Sequence, residues 1–392
     1  MRRYNPRMSA LDAAVLGECS AARFFARHWQ KAPLLVRAAL PGFSGVVSAA
    51  QLAALACRDD AQSRLVIRRA HRWEAHQGPL DQRLLRRLPA RGWTLLVHEV
   101  DHFFPRAREL LERFSFIPYA RLDDLMVSYA APGGGVGPHC DSYDVFLLQG
   151  AGRRRWRVSR QRDAALVEGA PLKLLRNFRP QREWVLEPGD MLYLPPGWAH
   201  DGVALEPAMT YSIGFRAPQW RELAVHFLRF LEDRVALDGL YRDPDLRPQA
   251  QPARIAPRMV RKVAQRLEDI RWSAPQVTRF LGEYLTEPKP HVFFRRRPRP
   301  SLTVFAERIR RGELALDLRS QMLYFGHLFF INGETVQVRG RARESLTRLA
   351  DTRRMSAVDT TQRGLVALLH EWYGAGYVTL RATARPTTRS ER

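Results

Sequence analysis

The chain has 392 residues, 63 Lys plus Arg against 40 Asp plus Glu, a formal charge of +23 and a hydrophobic fraction of 45%. That length predicts two or three domains with a sizeable core. No run approaches the roughly 20 apolar residues that cross a bilayer, so no membrane span is expected. The apolar run after Met1-Arg2-Arg3 is broken by Asp12 and Glu18, against a signal peptide. Cys19, Cys57 and Cys140 are odd in number and lack C-x-x-C spacing. That argues against a disulfide scaffold or a structural zinc site and fits a cytoplasmic protein. The arginine-dominated charge fits a polyanionic partner such as ribosomal RNA, and equally a compositional habit, because it is spread along the chain.

In chain order, Phe24, Phe25, His28 and Trp29 recur at helical spacing and predict a helix over 20–32, stopped by Pro33. A strand at 34–36 and a short helix at 49–56 follow, then strands at 65–67 and 93–97. From 121 to 216, short strands rich in Val, Ile, Leu, Phe and Tyr alternate with Gly/Pro turns: 125–129, 145–148, 156–158, 184–186, 191–194 and 209–215. That texture predicts a β-sandwich or barrel. After Pro218 three amphipathic stripes predict helices: Leu223, Phe227, Phe230 and Leu231; Met259, Val263, Leu267 and Ile270; Val277, Phe280, Leu281 and Tyr284, the last started by Ser273 as N-cap. So small a bundle gains by packing against a neighbouring domain or a second copy. Thr286–Pro300 reads as a Pro/Arg linker. Beyond it come strands at 314–318, 322–325 and 336–338, a hairpin turn at Asn332-Gly333, helices at 342–350 and 362–373, and a last strand at 377–380. This mixture fits a winged-helix-like module.

The strongest local signal is His139-Cys140-Asp141. Positions two apart on a strand face the same side, so an imidazole and a carboxylate point together. His200, delivered after Gly189-Asp190 and the Pro195-Pro196-Gly197 turn, completes a facial triad of the kind that leaves positions open on non-haem Fe(II). A second signal comes from alternation in Arg153-Arg154-Arg155-Trp156-Arg157-Val158. With Trp156 and Val158 facing the core, Arg154 must face it too, and a buried guanidinium needs an anionic partner. Ser128 sits on the inward side of its own strand. Together Ser128 and Arg154 suit the distal carboxylate of 2-oxoglutarate, whose other end would chelate the metal.

Several stretches carry a family resemblance: Phe25-Ala26-Arg27-His28-Trp29-Gln30-Lys31-Ala32-Pro33-Leu34-Leu35, Pro132-Gly133-Gly134-Gly135-Val136-Gly137-Pro138-His139, Gln149-Gly150-Ala151-Gly152-Arg153-Arg154-Arg155-Trp156-Arg157 and Gly214-Phe215-Arg216-Ala217-Pro218. The chain resembles the JmjC-type ribosomal oxygenases, in particular their bacterial arginine-hydroxylating branch, densely over 20–220 and more loosely beyond. The resemblance implies a mainly β catalytic domain, a double-stranded β-helix of the JmjC/cupin kind, over 1–217. It implies a helical dimerisation region over 218–290, a winged-helix-like α+β domain over 291–385 and a disordered tail over 386–392. It implies that His139, Asp141 and His200 bind Fe(II), that Ser128 and Arg154 bind 2-oxoglutarate, and that dioxygen is consumed. It further implies a homodimer acting on a large-subunit ribosomal protein, the sixteenth, at the β-carbon of an arginine. Asp124, Tyr143, Asp144 and Asp201 lie beside the motif and are candidates to cradle that arginine. Cys140 stands where the family commonly has an aliphatic residue; a packing role pointing away from the metal is expected. A histidine hydroxylase or demethylase would share the same site. A non-catalytic RNA- or ribosome-binding protein on a retired barrel is the alternative from another class.

Overall fold

The computed structural model describes residues 13–69, 72–235, 237–356 and 358–381; the tail expected over 386–392 lies outside them. The chain divides into two compact units. The first runs to Ala217 and takes in Pro288–Ser320 and the chain from Ser356; the second comprises Pro218–Glu287 and Gln321–Met355.

Twelve strands build the first unit's barrel: β1 (Leu34–Val36), β2 (Ser63–Arg69), β3 (Arg72–Gln77), β4 (Trp93–Val97), β5 (Leu122–Ala130), β6 (His139–Cys140), β7 (Asp144–Ala151), β8 (Arg154–Ser159), β9 (Arg182–Leu186), β10 (Met191–Leu194), β11 (Ala199–Ala204) and β12 (Ala208–Phe215). They form an eight-stranded sheet, β1-β10-β7-β12-β5-β4-β2-β3, and a four-stranded sheet, β6-β11-β8-β9. The pairings within these sheets are antiparallel. The near-continuous apolar runs of β7 and β10 are what strands buried on both faces require. Val145, Leu147, Leu192 and Leu194 pack with Trp156, Val158 and Leu186 of the smaller sheet. Their alternates Phe146, Leu148, Met191 and Tyr193 join a second core with Phe24, Leu52, Leu111 and Phe114, from the segments that cover the outer face. The architecture is two facing sheets, the sandwich or barrel that the strand texture predicts and the double-stranded β-helix that the resemblance implies.

Three local readings change. The first helix spans only Ala21–Arg27, capped by Ser20 accepting from the Arg23 amide at 3.2 Å. Gln30 takes a left-handed φ of 56°; its amide N–H donates to the Tyr193 hydroxyl and its side chain to Asp144. Those long-range bonds, not Pro33, end the helix. The stretch expected as a plain linker holds ion pairs instead: Lys289 Nζ lies 2.9 Å from Glu99 and 3.1 Å from Asp123. A helix at Leu302–Arg311 and a strand at Leu328–Ile331 were not expected.

In the second unit, helices Trp220–Glu232 and Ala274–Thr286 pack through Phe227, Phe230 and Phe280. The strands Met322–Phe325, Leu328–Ile331 and Glu334–Gln337 form an antiparallel sheet, followed by the helix Arg341–Thr352. Ser273 starts its helix with a capping box, its N–H held by the Gln276 side chain at 2.8 Å.

Candidate active site

The His-x-Asp segment enters on β6, a strand of two residues, and Asp141 lies just past its end. Gly137 precedes it at φ +76°, where a Cβ would meet the Leu174 and Trp73 side chains; a side chain there would push His139 off course. β11 pairs with β6 in the register His200↔His139, so the two imidazoles are cross-strand neighbours with ring centroids 4.2 Å apart. His139 Nε2 is 3.8 Å and His200 Nε2 3.6 Å from the Asp141 carboxylate. The three ligand atoms lie within 4.8 Å of one another, near what bonds of roughly 2 Å to one ion require. Each Nδ1 donates to the carbonyl two residues earlier, Gly137 for His139 and Trp198 for His200, both at 2.9 Å. That fixes the tautomer and leaves both Nε2 lone pairs for the ion. Burial, followed by the neighbouring His139, pushes the His200 imidazole down to about 4, so it stays neutral, as a ligand must be.

A cavity of about 390 Å³ opens from this cluster. Arg154 lies in its wall, 4% exposed, with Nη1 donating to Ser128 Oγ at 3.3 Å. Its Nε and Nη2 are buried with no hydrogen-bond partner among the described residues. Burial lowers its pKa to about 10, which leaves it charged at neutral pH. A buried cation with free donors is costly unless an anion arrives. On the paired strands β8 and β11, Arg154 stands opposite Ala204 and His200 opposite Val158. Four residues, about 13 Å of strand, separate the two registers. Long side chains reaching inward from that span leave room for a short dicarboxylate between guanidinium and triad. Thr94 Oγ1 and Trp156 Nε1 line the same cavity and are also buried without partners.

Comparison with known proteins agrees with this geometry. The JmjC domain family matches residues 109–223 and the ROXA-like winged helix matches 269–379. The ribosomal protein uL16 3-hydroxylase of Escherichia coli K12 is 35% identical over 319 residues, 80% of this chain and 84% of that one. The chain belongs to the JmjC-type ribosomal oxygenases. A probable ribosomal oxygenase of Haemophilus influenzae is 36% identical over 61% of this chain and 58% of its own length. The solved structure of the Escherichia coli ribosomal oxygenase YcfD with cobalt and 2-oxoglutarate aligns with a TM-score of 0.79 at 32% identity, covering 92% of this chain and 98% of that one. The same relative has been solved with cobalt and succinic acid, at a TM-score of 0.78.

Within this ribosomal oxygenase the four candidates for substrate contact separate. Tyr143 lines the cavity; burial, then the adjacent Asp141, pushes its phenol up. Asp124 sits one layer back. It is 3.2 Å from His98, which lines the cavity, and accepts from the Glu99 N–H. Asp144 is fully buried and accepts from the Tyr193 hydroxyl at 2.5 Å and from Gln30. Asp201, next to His200 but facing the other way, is held by Arg157 at 2.5 Å. The last two do not line the cavity. Arg64, His98 and Lys173 also line it; none follows from the motif, since β2, the residue after β4 and the loop before β9 approach it only through folding. Cys140 is exposed, not packed.

Proposed function

We propose that this oxygenase is a protein hydroxylase dependent on Fe(II) and 2-oxoglutarate, with dioxygen as oxidant and a large-subunit ribosomal protein as substrate. The observation that carries the reading is one cavity with a buried, partly unpaired arginine in one wall and a His–Asp–His cluster in another. His139, Asp141 and His200 would hold the iron, and Ser128 with Arg154 the distal carboxylate of 2-oxoglutarate. Iron, when bound, supplies the redox chemistry that couples loss of carbon dioxide from 2-oxoglutarate to insertion of oxygen into a C–H bond. The chain's own work is positional. Arg154 and Ser128 fix one end of the cosubstrate, the carbonyl-anchored imidazoles keep their Nε2 atoms forward, and the apolar wall of Val145, Leu147 and Trp156 limits water.

The finer assignment is an arginine β-carbon in the sixteenth large-subunit protein, supported by the name of the Escherichia coli relative. For its guanidinium, Tyr143 is the candidate contact in the cavity wall, with Asp124 adding negative potential from behind His98. A ribosomal substrate goes with a cytoplasmic enzyme, and the charge of +23 with contact to ribosomal RNA. In the second unit, Trp220, Leu228, Val260 and Leu267 are exposed, an apolar surface suited to a second copy of the chain.

The test is succinate formation by iron-loaded protein given 2-oxoglutarate and air, with and without a peptide from the arginine-bearing loop of that ribosomal protein. Peptide-stimulated turnover, absent in His139→Ala and Arg154→Ala, is expected, with one added oxygen on an arginine fragment by mass spectrometry. Oxygen on a histidine fragment would make the chain a histidine hydroxylase. No succinate, with steeply salt-dependent RNA binding, would make it a binding protein on a retired barrel.

A further inference from the structure

A second cavity, of about 340 Å³, lies beside the first, and Arg64 and His98 line both. Its other walls include Gln62, Ser63, Gln77 and His291. Arg64 is half-buried, and its side chain makes no hydrogen bond or ion pair among the described residues. Strand register fixes where it points. Arg64 on β2 stands opposite Leu96 on β4, which stands opposite Ser128 on β5. Residues in such a row share a face of the sheet, so Arg64 looks into the barrel as Ser128 does. Two inter-strand spacings, about 10 Å, separate them. Arg64 is therefore not a second clamp on the carboxylate at Ser128 and Arg154; it stands at the joint between the two cavities.

The second cavity is a constructed one. His291 reaches it from the segment after the second unit's helices, its Nε2–H donating to Glu99 at 2.5 Å and its Nδ1 accepting from the Gln62 amide at 3.2 Å. Ser63 Oγ donates to the Ala56 carbonyl. These groups are satisfied and hold the wall in place, whereas the Arg64 donors are left over. The first cavity must already take cosubstrate and target side chain, so the polypeptide on either side of the target has to leave by its mouth.

Building on the protein-hydroxylase reading above, we propose that Arg64 and the second cavity form a subsite for the main chain of the substrate polypeptide flanking the hydroxylated residue, the guanidinium donating to its carbonyl oxygens. A fork of N–H donors reads a backbone irrespective of side chains and fixes its direction.

The experiment compares a long loop peptide with one cut to a single neighbour on each side of the target, using iron-loaded wild type, Arg64→Ala and Arg64→Lys. Loss of charge-assisted hydrogen bonds is expected to raise the KM of the long peptide about tenfold or more in Arg64→Ala. The KM for 2-oxoglutarate should hold, and 2-oxoglutarate should raise the melting temperature of variant and wild type alike, which reports a folded cosubstrate site. On the short peptide, wild type and variant should converge. Arg64→Lys should recover only part of the loss. Equal loss on both peptides, a raised KM for 2-oxoglutarate, or no change would overturn the subsite. Wild type inactive on every peptide would sink the protein-hydroxylase reading and the subsite with it; wild type active with Arg64→Ala unaffected would sink the subsite alone.

Discussion

The barrel and the helical segment treat their leftover groups in opposite ways. The barrel buries its apolar side chains on both faces of the large sheet, and what it leaves unsatisfied among the described residues is polar; in the cavity wall these groups are the free donors of Arg154, the hydroxyl of Thr94 and the indole N–H of Trp156. The helical segment satisfies little by itself. In Trp220–Glu232 the stripe Leu223, Phe227, Phe230 and Leu231 turns inward, while Trp220 and Leu228 are 86% and 64% exposed. The helix Pro257–Leu267 has no buried residue, and Val260 and Leu267 stand open. Unsatisfied polar groups in a cavity wall call for a small anion; an unsatisfied apolar face calls for another protein surface. The two kinds of vacancy make predictions of different size and sign.

The largest effect is expected at Arg154. Arg154→Met should raise the KM for 2-oxoglutarate by a hundredfold or more, because truncating one side of a buried hydrogen-bonded charge pair costs about 3 kcal/mol or more. The ligand-free variant should nevertheless melt no lower than wild type, and 2-oxoglutarate should no longer raise its melting temperature. Replacing an unpaired buried charge by a matching apolar side chain removes a desolvation cost rather than a contact. A variant that loses activity and stability together would instead make Arg154 a structural ion-pair residue.

That inward arginine was legible in the sequence, because period-two alternation around Trp156 and Val158 leaves no other place for it. β12 shows the same periodicity in Met209, Tyr211, Ile213 and Phe215, whereas β7 and β10 were legible from unbroken apolar runs. β11 was not legible as a strand: Ala199-His200-Asp201-Gly202-Val203-Ala204 is poor in β-formers, and its place comes from pairing with β6 and β8. Alternation could have separated Asp201 from His200; sequence adjacency alone grouped them. The pairing of His291 with Glu99 crosses 192 residues, and local pattern holds no trace of it. Arg64 escaped for the same reason: its neighbour in the cavity wall is set by the order of strands in the sheet, which hydrophobic pattern does not encode.

Next in size is the polar cluster behind the cavity. Burial pushes Glu99 up, but Lys289, His102 and His291 outweigh it and hold the carboxyl below its usual value. Burial likewise opposes ionisation of Asp124, and the His98 hydrogen bond and charge bring it down to about 2 from 3.8. Both folded-state values are depressed, so the stability they contribute is complete above the unfolded values near 4 and lost as pH falls through the folded ones. For Asp124 that amounts to about 2 kcal/mol. Lys289→Met, which leaves the Glu99 carboxylate buried and short of its cation, should cost roughly 3 kcal/mol at neutral pH. It should cost much less near pH 3, where Glu99 can take a proton. Chemical denaturation at the two pH values checks this; an equal loss at both would mean that the lysine acts through packing and not through charge.

The smallest effect is expected on the open apolar face, and it separates the two regions most cleanly. Leu228→Glu places a charge on the outward side of Trp220–Glu232, opposite the stripe that packs on Phe280. A surface change of this kind shifts monomer stability by about 0.5 kcal/mol or less. If a second copy covers the face, one buried leucine replaced by a charge in each of two symmetric positions should weaken the dimer by tenfold or more. Light scattering across a dilution series would then find wild type at twice the chain mass where the variant has fallen to one. Turnover of 2-oxoglutarate without peptide should be unchanged in the variant, because the His139–Asp141–His200 cluster, Arg154 and the cavity walls all come from the first unit. A variant that stays dimeric would place the interface elsewhere and leave the exposed stripe to a different protein surface.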